Sequence, residues 1–226
     1  MALIHGPNVV RNGLVLNVDA ASIQSYPGSG TTWTNVVNNS INMTLNAGPT
    51  YTSGARPYFT FDGTDDYAQT TAQILSGTTS TSFTLEAVAM STTAVSWQTV
   101  LGTAGTLRQI GFNGTSFYWG GNGGGGNSFV NGGTISANTW YHLAFTFDGT
   151  TGSLGTGYGY LNGVQTTGSI GHNGGTIGVN MLSTYSPNTA AERLTGRIAL
   201  ARIYNRALTF AEIQQNYQTA RLRYGI

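Results

Sequence analysis

Short runs in which hydrophobic and polar residues alternate, separated by turn residues, dominate this chain. In residues 13–20 the hydrophobic side chains Leu14, Leu16 and Val18 fall at every second position. A period of two is the pattern of a strand that buries one face and exposes the other.

Comparable runs recur along the whole chain, and several end in Asp-Gly or Asn-Gly, pairs that favour tight turns between antiparallel strands. The runs occupy residues 57–63, 81–90, 108–114, 115–121, 139–149, 157–168 and 196–205. The pattern predicts an all-β fold of roughly ten or more strands and favours an antiparallel sandwich.

One segment, residues 209–221, has the pattern of a helix. Thr209 and Glu212 have the spacing of a capping box, in which a hydroxyl and a carboxylate each accept a backbone N–H at the helix start. Leu208 and Ile213 have the spacing of two hydrophobic residues that pack together across that start. The sequence therefore predicts one short C-terminal helix beside the sandwich.

The charge content of the chain is low. Charged residues make up 8% of the sequence, against roughly 25% in an average soluble domain, and lysine is absent. A net charge of +1 argues against nucleic acid as a partner, because phosphate binding needs clustered positive charge. No hydrophobic run approaches the ~20 residues that span a membrane. The absence of cysteine excludes disulfides and thiol chemistry.

No boundary between domains is evident in the sequence. We predict a single domain over residues 1–226, with an N-terminal arm at about 1–12 and a C-terminal tail at about 221–226. The glycine-rich stretch 120–128 is interpreted as a mobile loop within one sheet, with a linker as the less favoured alternative. The first residues lack a basic region followed by an apolar core, the pattern of a signal peptide, so synthesis in a cytoplasm is expected.

Several segments follow one another in a recognisable order: GLVLNVDAASIQSYPGSGTTWTNVVNN, FTFDGTDDYAQ, SFTLEAVAM, TWYHLAFTFDG, YLNG and GRIALARIYNRALTFAEIQQNY. In this order they resemble laminin-G-like domains of the concanavalin A-like lectin/glucanase superfamily. The segment YPGSGTTW and the ending NYQTARLRYGI are most similar to versions found in tailed-bacteriophage structural proteins. The resemblance implies a jelly roll of two antiparallel sheets with the terminal helix packed nearby. Many relatives carry an acidic pair where this chain has Ile198, Ala199 and Leu200, so a metal site built on that pair is not expected.

The carboxylates do not have the spacing of a glycosidase. Hydrolysis of a glycosidic bond needs two carboxylates that face each other about 5 to 9 Å apart, and the superfamily's glucanases place them on one strand as E-x-D-x-x-E. That pattern is absent, and Glu86, Glu192 and Glu212 are scattered along the chain. We therefore predict no catalytic residues and a protein that is not an enzyme.

The segment FDGTDDYAQ contains three acids within five positions. Calcium takes six to eight oxygen ligands, and the resemblance implies a calcium site at a sheet rim. The candidate calcium ligands are Asp19, Asp65 and Asp66. In the alternative interpretation, which is favoured, Asp62 and Gly63 form a tight turn and Asp66 accepts backbone amides.

The segment NGTSFYWGGNGGGGNS has the residue types that recognise uncharged sugars. Aromatic rings stack on the C–H face of a pyranose, and amide groups form hydrogen bonds with its hydroxyls. The predicted glycan-binding residues are Arg108, Phe117, Trp119, Asn122 and Asn127. A place in the core is an equal alternative for Trp119, because a sandwich strand buries one of its faces.

The two ends of the chain supply candidate contacts with other molecules. Arg221, Arg223 and Tyr224 follow the predicted helix, and arginine and tyrosine are favoured at protein interfaces. The ends either dock onto a neighbouring subunit or close the sandwich.

These observations favour a non-enzymatic structural or decoration protein of a phage virion, made in the host cytoplasm and present as a homo-oligomer or in many copies. Its expected partners are other virion proteins of the capsid, tail or fibre, together with glycans on a host surface. The first alternative is a stand-alone bacterial carbohydrate-binding module, that is, a lectin. A glycosidase is the less favoured alternative.

Overall fold

The computed structural model describes residues 8–75, 82–103, 108–123, 126–149, 155–166, 168, 170–172, 180–184, 186 and 192–226. The strands are β1 (Leu14–Asp19), β2 (Thr32–Trp33), β3 (Met43–Asn46), β4 (Thr50–Thr52), β5 (Tyr58–Asp62), β6 (Tyr67–Thr70), β7 (Phe83–Ser91), β8 (Gln98–Thr103), β9 (Arg108–Asn113), β10 (Ser116–Gly123), β11 (Gly126–Thr134), β12 (Tyr141–Asp148), β13 (Gly155–Leu161), β14 (Val164–Gln165), β15 (Ile170–His172), β16 (Asn180–Leu182) and β17 (Thr195–Tyr204). Helix α1 spans Phe210–Tyr224.

The strands form two antiparallel sheets. The first sheet has nine strands in the order β14-β13-β12-β7-β17-β5-β4, with β1 beside β17 and β15 beside β13. The second sheet has eight strands in the order β11-β10-β9-β8-β16-β6-β3-β2. Strands distant in the chain, such as β7 and β17, are neighbours within a sheet, as in a jelly roll. The predicted two-sheet sandwich with one C-terminal helix is confirmed.

Alternating residues of the two sheets meet in one large core. Strand β7 contributes Phe83, Leu85, Ala87 and Ala89 to that core, as the sequence pattern predicts. The other face of β7 is buried as well, and its Val88 packs in a smaller cluster with residues of helix α1. A strand that is covered on both faces reads as a nearly continuous hydrophobic run, and β7 is of this kind.

Helix α1 begins with the predicted capping box. The Thr209 hydroxyl accepts the backbone N–H of Glu212, and the Glu212 carboxylate accepts the backbone N–H of Thr209 at 2.9 Å. Leu208 and Ile213 are buried together in one cluster against the first sheet. Within the described ranges, no helix has the length and apolar character needed to cross a membrane.

The helix extends further than the sequence pattern predicts. It ends where Gly225 adopts a left-handed φ of 69° and donates its N–H to the Arg221 carbonyl, a common C-terminal cap. The predicted tail at 221–226 is therefore wrong, because its first four residues form the last helical turn. Tyr224 follows the buried Ala220 by four positions, so its ring faces the sheet.

Most of the glycine-rich stretch 120–128, which its composition predicted to be a loop, lies in strands: residues 120–123 belong to β10 and residues 126–128 to β11. Strands β10 and β11 continue into it as the two arms of a hairpin, with Asn122 opposite Asn127. The prediction was wrong because backbone pairing needs only N–H and C=O groups, which glycine supplies as other residues do.

The N-terminal arm packs against helix α1 in its described part. The Val10 N–H donates to Asn216 Oδ1 at 2.9 Å, and the Val10 carbonyl accepts the Tyr204 hydroxyl at 3.1 Å. The Asn8 carbonyl accepts Gln215 Nε2 at 2.6 Å. These bonds join the arm to the helix and to β17. The arm and the helix together cover part of the outer face of the first sheet.

Candidate functional site

The predicted glycan-binding aromatic residues of β10 lie in the core of the sandwich. Phe117 and Trp119 are fully buried. The Trp119 indole N–H donates to Thr166 Oγ1 at 3.1 Å, and its ring centre lies 5.3 Å from that of Phe145 in the first sheet. Neither ring has a face open to solvent, so the prediction that Phe117 and Trp119 stack on a sugar is wrong.

Arg108 is buried in the same core, with 1% of its surface exposed. Its guanidinium carbon lies 4.8 Å from the ring centre of Phe147 and 5.6 Å from that of Phe83. Burial lowers the pKa of Arg108 to about 10. A ligand cannot reach this guanidinium, so its predicted glycan contact is also wrong. The side chains of Asn122 and Asn127 lie outside what the structure describes, and their role stays a prediction.

The opposite face of β10 carries an aromatic cluster that opens to solvent. The Tyr118 ring centre lies 5.1 Å from that of Trp97 and 5.7 Å from that of Phe129. Trp97 and Phe129 are 5.5 Å apart. Trp97 is 37% exposed, whereas Tyr118 is fully buried. The cluster therefore presents Trp97 outward over a buried tyrosine.

Trp97 has a backbone conformation that is unusual for tryptophan. Its φ of 54° lies in the left-handed region, which costs on the order of 1 kcal/mol for residues other than glycine. Beneath the cluster, Gly111 leaves room for Tyr118, because a Cβ built at Gly111 would lie 2.7 Å from a carbon of the Tyr118 ring. Strained residues of this kind persist where the surrounding structure fixes them, and they concentrate at binding sites.

A polar network supports Tyr118 from one side. The Tyr118 hydroxyl lies 3.1 Å from Thr99 Oγ1, which donates to Gln109 Oε1 at 2.7 Å. Gln109 Nε2 in turn donates to Glu192 Oε2 at 3.3 Å. Burial raises the pKa of Glu192, and the hydrogen bonds from Gln109 and Thr99 act in the opposite direction. The network fixes the tyrosine on which the exposed tryptophan rests.

Two asparagines border the cluster. Asn131 of β11 lies opposite Tyr118, and Asn113 Nδ2 donates to Asn131 Oδ1 at 3.4 Å. We call the area formed by Trp97, Phe129, Asn113 and Asn131, with Tyr118 beneath them, the Trp97 surface. It combines aromatic area with amide groups, the two kinds of contact that a sugar ring and its hydroxyls require.

The sequence offers only weak signals for the Trp97 surface. Trp97 lies in a segment without alternation, so the sequence does not distinguish a packing role from a binding role for it. Phe129, Asn113 and Asn131 were not predicted. The Asn113-Gly114 pair does indicate a turn, and residues beside such a turn are commonly accessible to ligands.

Asp19 lies away from the other predicted calcium ligands. It stands opposite Leu200 of β17, whereas β5 meets β17 at the pair Asp62 and Thr195. Positions 195 and 200 of one strand are about 17 Å apart. Asp19 forms an ion pair with Arg223. The predicted three-carboxylate site is therefore not assembled by the fold.

The acids of the segment FDGTDDYAQ form a tight turn held by hydrogen bonds to backbone amides, which was the favoured interpretation of this segment. Asp62 Oδ1 accepts the Thr64 N–H at 2.7 Å, Asp66 Oδ2 accepts the Asp62 N–H at 3.1 Å, and Arg193 Nη1 donates to the Asp65 carbonyl at 3.0 Å. The Thr64 bond lowers the pKa of Asp62, whereas burial raises the pKa of Asp66. Carboxylate oxygens of Asp62, Asp65 and Asp66 lie within 4.8 Å of one another, but the turn itself accounts for this proximity.

The predicted interface residues at the C terminus have different environments. Tyr224 is 1% exposed, and its ring centre lies 5.8 Å from that of Trp140, so its predicted interface role is wrong. Arg223 is paired with Asp19. Arg221 is exposed on the last helical turn, and its interface role stays a prediction.

A comparison with protein families gives one match. A laminin G family model, described as the concanavalin A-like lectin/glucanases superfamily, matches residues 62–214. No curated protein matches the chain at a significant level.

Solved structures of similar fold come from enzymes and from toxins. A Trypanosoma rangeli sialidase in complex with 2,3-difluorosialic acid has a TM-score of 0.69 at 16% identity, over 95% of this chain and 34% of that chain. The binding domain of Paraclostridial mosquitocidal protein 1 has a TM-score of 0.66 at 12% identity, over 92% of this chain and 52% of that chain. The botulinum neurotoxin type G receptor binding domain has a TM-score of 0.65 at 12% identity, with the same coverage of 92% and 52%. At these identities the likeness shows the fold alone, and the chain spans only a third to a half of the proteins it resembles.

Proposed function

Because the chain belongs to the laminin G family of the concanavalin A-like lectin/glucanases superfamily, we propose that it is a non-catalytic module that binds carbohydrate. The proposed binding site is the Trp97 surface. The fold is lectin-like, and this fold carries both binding and catalytic proteins, so the function is argued from the site.

The observation that carries the proposal is the exposure of Trp97. A large aromatic side chain that is 37% exposed and fixed in a left-handed backbone conformation does little for the core. Its ring rests on Tyr118 and Phe129, so it is held ready to stack on a sugar without losing further freedom on binding. Asn113 and Asn131 lie beside it to accept or donate hydrogen bonds.

The environments of the carboxylates support a non-catalytic role. Glycoside hydrolysis needs one carboxylate on each side of the bond that breaks. Glu192, which belongs to the polar network beside Tyr118, accepts hydrogen bonds from Gln109 and Thr99. The cluster of three acids among the described residues lies in the turn around Asp62, where two of its members bind backbone amides. Two of the similar structures are named as binding domains, which agrees with a binding role.

A glycan array with the purified full chain, followed by calorimetric titration of the best ligand, tests the proposal. We expect Trp97→Ala to weaken binding by about tenfold or more, as lost ring contacts of 1.4 kcal/mol would. Leu222→Ala is the matched control, because Leu222 is 73% exposed on helix α1, which packs on the other sheet. No binding to any glycan, or equal binding by Trp97→Ala and wild type, would contradict the proposal.

A place on a phage particle is the second candidate. It is supported by the resemblance of the segment YPGSGTTW and of the C-terminal sequence to tailed-bacteriophage structural proteins, and by a charge content of 8%, which suits a surface packed in many copies. Negative-stain imaging of intact particles with a labelled antibody tests it. A protein found only in a free pool, with no label on particles, would count against this role.

A further inference from the structure

A groove of about 340 Å³ lies on the outer side of the first sheet, between helix α1, the N-terminal arm and the segment that follows β1. Its volume falls at the lower end of small-molecule sites, about 300 to 1,000 Å³. Asn17 and Arg202 form part of its floor, and Asp19 and Arg223 form its charged end. The Trp97 surface is on the other sheet, so the two places are separate.

The floor of the groove is a row of polar side chains across three strands. Asn17 of β1 lies opposite Arg202 of β17, and Arg202 lies opposite Glu86 of β7. Arg202 Nε donates to Asn17 Oδ1 at 3.3 Å, and Arg202 Nη1 donates to Glu86 Oε1 at 2.6 Å. Asn216 Nδ2 donates to the other oxygen of Glu86 at 2.6 Å. Arg202 is therefore fixed in place by its neighbours on both sides.

Two donors on this floor have no partner. Arg202 is 5% exposed, and within the described part of the chain its Nη2 has no hydrogen-bond acceptor, since Nε and Nη1 supply both of its bonds. The Nδ2 group of Asn17 likewise has no acceptor among the described residues, because the side chain uses only its oxygen. Both residues line the groove. Neither atom is among the fully enclosed polar atoms that lack a partner, so both reach the solvent of the groove, where an acceptor of a ligand can replace water.

The arginines around the groove outnumber the carboxylates by one, so an added negative group would balance the charge. Glu86 is occupied by Arg202 and Asn216, and Asp19 is occupied by Arg223. Arg11 is exposed and lines an adjoining groove that shares Asn17 with the first one. Among the described residues no carboxylate pairs with Arg11 in the adjoining groove, and the Arg202 Nη2 and Asn17 Nδ2 donors remain on the floor of the first.

We propose that this groove binds a small ligand through a carboxylate, whose oxygens accept from Arg202 Nη2 and Asn17 Nδ2. A guanidinium and an amide side by side suit the two oxygens of one carboxylate. The ligand is either an acidic sugar or a molecule that ends in a free carboxylate, such as the C-terminal unit of a peptide.

Matched pairs of small molecules test the carboxylate directly. Calorimetric titrations of the full chain compare D-glucuronate with D-glucose, and N-acetylalanine with its amide. We expect at least one carboxylate to bind at millimolar concentration or better, about tenfold tighter than its neutral partner. Binding of glucuronate alone identifies an acidic sugar, and binding of N-acetylalanine alone identifies a terminal carboxylate. If neither acid binds, or if the neutral partners bind equally well, the proposal is overturned.

Asn17→Asp tests the site within the protein. The substitution keeps the oxygen that accepts from Arg202 Nε, removes the Nδ2 donor and adds a negative charge, so we expect carboxylate binding to fall by tenfold or more while the chain stays folded. Arg202→Lys is the second variant, because lysine keeps a positive charge beside Glu86 and lacks the forked donor. Asn138→Asp is the control for added charge and should bind as wild type does, because Asn138 is exposed and belongs neither to the groove nor to the Trp97 surface. If both groove variants bind the ligand as wild type does, its carboxylate does not contact Arg202 and Asn17, and the proposal is overturned. Trp97→Ala should leave this binding intact, which separates the groove from the glycan site.

Discussion

Arg202 Nη1 lies 2.6 Å from Glu86 Oε1, and the two side chains are buried together between the first sheet and helix α1. His142 Nε2 lies 3.3 Å from the same oxygen, and Asn216 of the helix donates to the other oxygen. The ion pair thus links two strands of the sheet to the helix that covers them.

Removal of the Glu86 charge should destabilise the protein strongly. In Glu86→Gln, Arg202 would keep its charge in a buried place with no anion beside it, and breaking such a pair costs about 3 to 5 kcal/mol. Urea denaturation of the variant and the wild type measures the difference. The control is Asp65→Asn, an exposed site where the change should stay within about 0.5 kcal/mol. A Glu86→Gln loss below about 1 kcal/mol would show that the pair is not a main link between sheet and helix.

Stability should fall in acid between about pH 4.5 and pH 2. Burial alone would raise the pKa of Glu86, but Arg202, His142 and Asn216 outweigh it and hold that pKa at about 2, below its ordinary 4.5. Because the unfolded carboxyl takes up a proton first, the stabilisation is complete above pH 4.5 and is lost as the pH approaches 2. The hydrogen bond from Arg206 lowers the pKa of Glu212 to about 2 in the same way.

Melting temperatures recorded from pH 7 to pH 2.5 check this dependence. The melting temperature of the Glu86→Gln variant should fall less between pH 4.5 and pH 2.5 than that of the wild type. Glu212 accounts for part of the fall that remains. If the melting temperature of the variant falls as much over this range as that of the wild type, Glu86 does not titrate between pH 4.5 and pH 2.5.

Two tryptophans should differ in how much their truncation destabilises the protein. Trp119→Ala should reduce the free energy of unfolding by about 3 to 5 kcal/mol, because the ring is fully buried against Phe145. Trp97→Ala should reduce it far less, since that ring is 37% exposed and buries less area against its neighbours. Chemical denaturation of both variants in parallel provides the measurement. Equal losses would remove the distinction between a core residue and a binding residue.

Calcium should have little effect on stability. Asp62 and Asp66 already accept backbone amides within their turn, and Asp19 is paired with Arg223. A cation present at 100 times its Kd would add about 2.7 kcal/mol to stability, which a thermal melt detects easily. Melts with millimolar CaCl2 and with EDTA should therefore coincide. A rise of several degrees in CaCl2 that is absent from Asp65→Asn would establish a calcium site in the turn.

The alternation along β10 was sufficient to group Phe117 with Trp119 and to separate both from Tyr118. It was not sufficient to say which group meets the other sheet, because a period of two is the same whichever face is buried. The packing of the second sheet on the first determines which face is buried, because Trp119 packs against Phe145 of the first sheet. The sequence analysis therefore predicted Phe117 and Trp119 as accessible, whereas the structure buries both in the core.

The sequence by itself determined many of the longer strands, the turn at Asp62, the capping box at Thr209 and the family, because each depends on residues close together in the chain. Only the tertiary structure decided the partners of Asp19, Glu86 and Arg202, because those contacts join strands and a helix that lie up to 204 positions apart. Charge pairs over such distances follow from the order of strands in a sheet, and no local pattern encodes that order. The Trp97 surface and the groove beside Asn17 both depend on it.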